Sequence, residues 1–212
     1  MEMLWNISDS IAQLIIGRLH SGEGHQGLYE ICDLSDFTNK APGNDDSLYN
    51  KRMIDSTHIV YIHGSDSSSQ TYKATLLRDI FPGMRVPDFM GGLPERMEQL
   101  EKVLGTETGW RLVGSSLGGL MAALYALQHP DQVRKLVLLA PALTLPGFTK
   151  ALSSQISIPT TIIQGTRDEF IPLEPTRKLA EKVFLDLTYI PVDDTHRLHK
   201  TADKLDWKKL LE

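Results

Sequence analysis

From residue 57 onward, apolar and polar positions follow a regular rhythm. Residues 57–62 form a short β-branched run that stops at His63-Gly64, and a polar loop over 65–70 follows it. The pattern predicts a helix over 72–80 that must end before Pro82, a short strand over 84–89, and a second helix over 94–104. An apolar strand at 110–114 runs into an Ala- and Leu-rich helix at 117–128, closed by His129-Pro130. A strand at 133–139, a strand at 158–163, a helix at 173–184, a strand at 187–191 and a closing helix at 202–211 complete the series. Strands nearly bare of polar residues, alternating with helices, predict an α/β fold with a mostly parallel central sheet covered on both faces. In such sheets ligands bind beyond the carboxyl ends of the strands, so reacting side chains are expected in loops that follow a strand.

Residues 1–56 lack this rhythm. A hairpin about Ser21-Gly22-Glu23-Gly24 is the favoured reading, with an amphipathic helix over 7–19 as its competitor; Gly17 weakens the helix. Residues 38–47 are a loop by composition. The expected organisation is an N-terminal extension over 1–56, read as first strands or a lid, and one α/β domain over 57–212.

Composition narrows the function. With 212 residues, 41% apolar and 23% charged, the chain suits one ordinary globular domain with a two-sided core. A net charge of −5, and no basic run longer than a pair, argue against a nucleic-acid partner. Cys32 is the one cysteine and forms no internal disulfide, which points to a reducing compartment, the cytoplasm. The apolar tract at 14–16 is too short for a signal sequence, and no run approaches the ~20 residues of a membrane span.

The candidate chemistry starts in the turn between the 110–114 strand and the 117–128 helix. Gly114-Ser115-Ser116-Leu117-Gly118 fits G-x-S-x-G, and the strand before and helix after are the context that pattern needs. The turn lifts the Ser116 hydroxyl out and aims the first free amides of the helix at developing negative charge. A serine hydroxyl is a weak nucleophile unless a base lies within reach and a third group orients that base. Asp168 falls in the loop after the 158–163 strand, with Glu169 as its nearest rival. His196 falls in the loop after 187–191, with His199 as its rival. An oxyanion needs two preorganised donors. The Leu117 amide is one, and the Ser65 amide, in the loop after 57–62, is the other. His63 is read as hydrogen-bonding that loop's backbone, and His129 as capping a helix end. No His/Cys spacing suggests a metal.

Over roughly residues 57–205 the chain resembles the α/β hydrolases. Tyr61-Ile62-His63-Gly64-Ser65-Asp66, Val113-Gly114-Ser115-Ser116-Leu117-Gly118-Gly119, Gln164-Gly165-Thr166-Arg167-Asp168-Glu169 and the late Asp194-Thr195-His196 are similar to a compact bacterial serine esterase family. The resemblance implies a Ser116–His196–Asp168 triad, oxyanion amides at Ser65 and Leu117, an acyl-enzyme intermediate and no cofactor. Only residues 141–157 stand where larger relatives insert a helical cap, so a minimal cap is expected. The open site is expected to be lined by Leu143, Leu145, Phe148 and Phe170, with a core role for these residues as the equal alternative. The expectation is a cytoplasmic carboxylesterase acting on small acyl esters. A thioesterase or lipid hydrolase is the near alternative, and a small-molecule-binding module that keeps the triad is the alternative of another class.

Overall fold

Five parallel strands lie side by side in chain order: β1 Ile59–Ile62, β2 Trp110–Ser115, β3 Val133–Leu139, β4 Thr160–Gly165 and β5 Leu187–Val192. This computed structural model describes residues 54–149 and 154–212. The hairpin, helix and lid readings of the N-terminal extension lie outside the described residues, apart from Ile54 and the short 3-10 turn Ser56–His58, which Asp55 caps.

Alternation along each strand makes two cores, because successive side chains point to opposite faces. Val60, Ile62, Leu112, Leu136, Leu138 and Ile162 pack one way, against the helices α2 Leu93–Leu104, α3 Leu117–Gln128 and α5 Leu173–Val183. Ile59, Tyr61, Val113, Val137, Leu139 and Ile163 pack the other way, under α1 Tyr72–Ile80 and the C-terminal residues Leu198 to Leu211. The sheet is thus covered on both faces, as the strand composition predicts.

Several elements differ from the sequence reading. The strand expected at 84–89 is a single bridge, in which Arg85 N donates to Ile59 O (2.9 Å) and Tyr61 N to Arg85 O (3.0 Å). Pro87, two residues on, has no N–H to extend the ladder. The bridge lies on the outer side of β1. After α1 the chain therefore turns outward, then crosses back over β1 through α2 to reach β2, which puts the topological switch beside β1 and β2. β4 begins two residues late, after Pro159, and runs to Gly165. The closing helix is two pieces, a short α6 His199–Ala202 and α7 Trp207–Leu211. Asp206 breaks the run by capping α7, accepting from Lys209 N at 3.1 Å.

Between β3 and β4 the described residues form one helix, the short α4 Pro146–Thr149. Leu143 and Phe148 are fully buried there and join the α2–α3–α5 core, so the expectation that they line an open site does not hold. With few residues to spend on a cap, the apolar ones here close the end of the core.

Candidate active site

Ser116 alone makes the turn from β2 into α3. Its backbone sits at φ 55°, ψ −118°, which residues bearing a side chain avoid. Bonds from three directions hold it there. Ser116 N donates to Leu139 O (2.9 Å), and Ser116 O accepts from Gly119 N (3.0 Å), Leu120 N (3.2 Å) and Ala142 N (3.0 Å). The close packing needs glycine: a Cβ on Gly118 would stand 2.0 Å from Ile62 O, and one on Gly114 would stand 2.4 Å from Gly118 O.

The loops after β4 and β5 supply the other two groups. Parallel pairing continues past the strand ends, with Thr166 N donating to Val192 O (2.7 Å) and Arg167 N to Asp194 O (3.1 Å). This brings His196 against Asp168. His196 Nδ1 lies 3.0 and 2.9 Å from the two Asp168 oxygens, and Ser116 Oγ lies 3.0 Å from His196 Nε2. The chain of partners assigns the proton to Nδ1 and leaves Nε2 to accept from the serine.

The Asp168 carboxylate is 1% exposed and accepts from Phe170 N (3.0 Å) and Ile171 N (2.8 Å). Beneath it the buried Gln164 donates to Ile171 O (2.9 Å) and accepts from the Tyr189 hydroxyl. Glu169, the rival acid, instead accepts from the His196 amide (3.3 Å). Asp194 shapes the histidine loop, accepting from Thr195 N (2.8 Å), Thr201 N (3.0 Å) and Thr201 Oγ1 (2.9 Å). Burial pushes its carboxyl up, but these bonds outweigh burial and hold it below its ordinary value. His199 is exposed, and its ring packs on Tyr72 at 4.6 Å. Burial, then the charges of Lys73 and Arg197, lower its affinity for a proton.

The loop after β1 leans on the elbow: a Cβ on Gly64 would stand 3.3 Å from Ser116 Cβ and 3.8 Å from Ser116 Oγ. His63 is buried and bridges backbone. Its Nδ1 donates to Gly64 O (2.8 Å), and its Nε2 accepts from Phe89 N (3.0 Å). Nε2 therefore has no proton to offer Asp88, 3.7 Å away, and no ion pair forms. Asp88 instead accepts from Ser69 N (2.6 Å) and Ser69 Oγ (2.9 Å), bonds that hold its carboxyl below its ordinary value. Arg96, from α2, donates to Gly64 O, Ser65 O and Gly91 O. Among the described residues, the amides of Ser65 and Leu117 have no protein acceptor.

Beside the triad stands Phe170, 69% exposed and edge-on to the His196 ring at 5.3 Å; Leu145, after β3, is 42% exposed. His129 meets Glu101 Oε1 through Nε2 (2.8 Å), a partner its position at a helix end does not reveal. Arg96, Gln164 and Asp194 were not legible as shapers of the site. Arg96 sits among the polar residues of α2, and nothing in Asp193-Asp194 says which carboxylate is buried. Among the described residues no cluster of three or more His, Cys, Asp or Glu is arranged to hold a metal, and no helix is long and apolar enough to cross a membrane.

The chain was compared with known proteins. A family model described as the α/β hydrolase fold matches residues 90–156, about a third of the chain. The chain is 27% identical over 149 residues to the monoacylglycerol lipase abhd6-B of Xenopus laevis, covering 54% of this chain and 43% of that protein. It therefore spans less than half the length of that relative. Among solved structures it is similar to mouse alpha/beta hydrolase domain-containing protein 10, with a TM-score of 0.58, 20% identity, and 68% of this chain and 84% of that one covered. It is also similar to an alpha-beta serine hydrolase homologue from Coxiella burnetii, with a TM-score of 0.57, 19% identity, and coverage of 72% and 81%. A parallel sheet flanked by helices, a strained turn between strand and helix, and these likenesses together show that the chain has the α/β-hydrolase fold.

Proposed function

We propose that the protein is a serine hydrolase that cleaves small acyl esters through an acyl-enzyme. The observation that carries the reading is the unbroken line from Ser116 Oγ to His196 Nε2 (3.0 Å) and from His196 Nδ1 to Asp168 (2.9 Å). Ser116 Oγ attacks the carbonyl carbon as its proton passes to His196 Nε2. Asp168, pinned by two amides, holds the ring and stabilises its cation. The carbonyl oxygen, now negative, takes the amides of Ser65 and Leu117. His196 returns the proton to the leaving oxygen, the C–O bond breaks, and water repeats the sequence on the acyl-enzyme.

Between β3 and β4 the described residues form only the four-residue α4, which favours an open site and small or surface-presented esters. The printed activity of the Xenopus relative, a monoacylglycerol lipase, makes a lipid ester the second substrate class to test. The lone Cys32 fits a cytoplasmic setting.

Wild type and Ser116→Ala should be assayed on p-nitrophenyl esters from acetate to palmitate, on monoacylglycerols and on an acyl-CoA. A fluorophosphonate label should be run beside them. The expected result is turnover and labelling that vanish together in Ser116→Ala; turnover that persists in the variant rejects the assignment. Tight binding of an ester by the wild type, with neither turnover nor label, would favour the binding module.

A further inference from the structure

We infer that Arg96 is a positioning residue for the oxyanion site, holding the 64–65 peptide so that its N–H faces the Ser116 hydroxyl; this rests on the hydrolase reading above. The guanidinium is almost wholly buried. Among the described residues no carboxylate pairs with it, and its hydrogen bonds go only to backbone carbonyls: Nε to Gly91 O at 2.9 Å, Nη1 to Gly64 O at 3.3 Å and Nη2 to Ser65 O at 3.2 Å. Burying an unpaired charge is costly, so the carbonyls must answer it. They belong to two loops, and the one that carries Gly64 and Ser65 lies against Ser116.

Peptide geometry gives the arrangement its consequence. The peptide is planar and trans, so the N–H of Ser65 points opposite to the C=O of Gly64. Arg96 Nη1 and His63 Nδ1 both pull Gly64 O to one side. The Ser65 N–H is thereby turned to the opposite side of the peptide, and Gly64 itself lies close to the elbow, an added Cβ standing 3.8 Å from Ser116 Oγ. Nη2, on Ser65 O, fixes the next peptide as well. His63 sets the first carbonyl alone. Only the planar fork of an arginine reaches two successive carbonyls while its Nε holds a third, and a lysine presents a single point charge. The positive charge behind the carbonyls also polarises those peptides in the sense that strengthens their N–H groups as donors.

An oxyanion donor acts on the transition state more than on bound substrate, so its loss lowers kcat with KM little changed. Arg96→Lys and Arg96→Gln should fold, with urea midpoints lowered because buried carbonyls lose their donors. They should lose about 10- to 100-fold in kcat, short of the ~100- to 1000-fold seen when an oxyanion donor is removed outright. KM on p-nitrophenyl acetate should shift less than about threefold. Affinity for an acyl trifluoromethyl ketone, whose adduct on Ser116 carries the oxyanion, should fall in step with kcat. A purely packing role would not move that affinity selectively. Folded variants with wild-type kcat, or with weakened KM and undiminished ketone affinity, would overturn the assignment. So would failure of both variants to fold, which would make the guanidinium a holder of the fold. A wild type without Ser116-dependent turnover rejects the hydrolase reading instead, and the Arg96 assignment with it.

Discussion

At the scale of single residues, the exposed Phe170 is the one with a selective consequence. In the proposed reaction the leaving oxygen takes its proton from His196 Nε2, so the leaving group departs beside the imidazole. Phe170 stands edge-on to that ring at 5.3 Å, mostly in water. Its side chain should therefore touch the alcohol half of the ester and not the acyl half. Phe170→Ala should lower kcat/KM for benzyl or long-chain alcohol esters by about tenfold, the usual size of a lost apolar contact. Breakdown of the acyl-enzyme, from which the alcohol has gone, should be unchanged. Burst kinetics separate the two, and slowed deacylation would show instead that Phe170 serves to hold the histidine.

Among the elements, the segment after β3 divides between core and surface. Phe148 is fully buried and packs near Phe184, with ring centroids 6.3 Å apart, while Leu145, three residues earlier, is exposed. Phe148→Ala should destabilise the protein by about 3–5 kcal/mol, as deletion of a buried aromatic does. Leu145→Ala should stay within about 0.5 kcal/mol, as surface changes do. Urea unfolding of the two variants checks this, and equal effects would contradict the division. The same contrast shows what the sequence made legible. Strand and helix positions could be read because their apolar periodicity is strong from residue 57 onward. So could the loops that hold Ser116, Asp168 and His196, because each follows a strand. Whether Leu143 and Phe148 faced the core or the solvent could not be read, since a short apolar segment without periodicity carries no face. Of the strand expected over 84–89 only Arg85 pairs with β1, and the apolar pattern of the segment does not tell one bridge from a six-residue ladder. Arg96 was illegible for a different reason: its acceptors are backbone carbonyls, which every residue has.

Across the whole molecule, the three groups of the site come from separate stretches of chain that the sheet brings to one edge. β4 and β5 carry the acid and the histidine on loops that stay paired, with Arg167 N on Asp194 O, so those two groups are tied to each other. Ser116 belongs to the other half, locked into the β1–β2–β3 end by Leu139 O and by the contact with Gly64. The backbone there, at φ 55° and ψ −118°, is the mirror image of the extended region, open to glycine and hostile to any side chain. Such a conformation costs about 1–3 kcal/mol, somewhat more than glycine's greater freedom in the unfolded chain would take back. Ser116→Gly should therefore melt a few degrees higher than wild type, roughly 2–4 °C for each kcal/mol recovered in a domain of this size. Calorimetry on both proteins decides it, and a lower melting point would mean the bend is not strained. If the gain is found, the wild-type chain lives permanently below the thermal tolerance its own fold allows, for the sake of one oxygen atom.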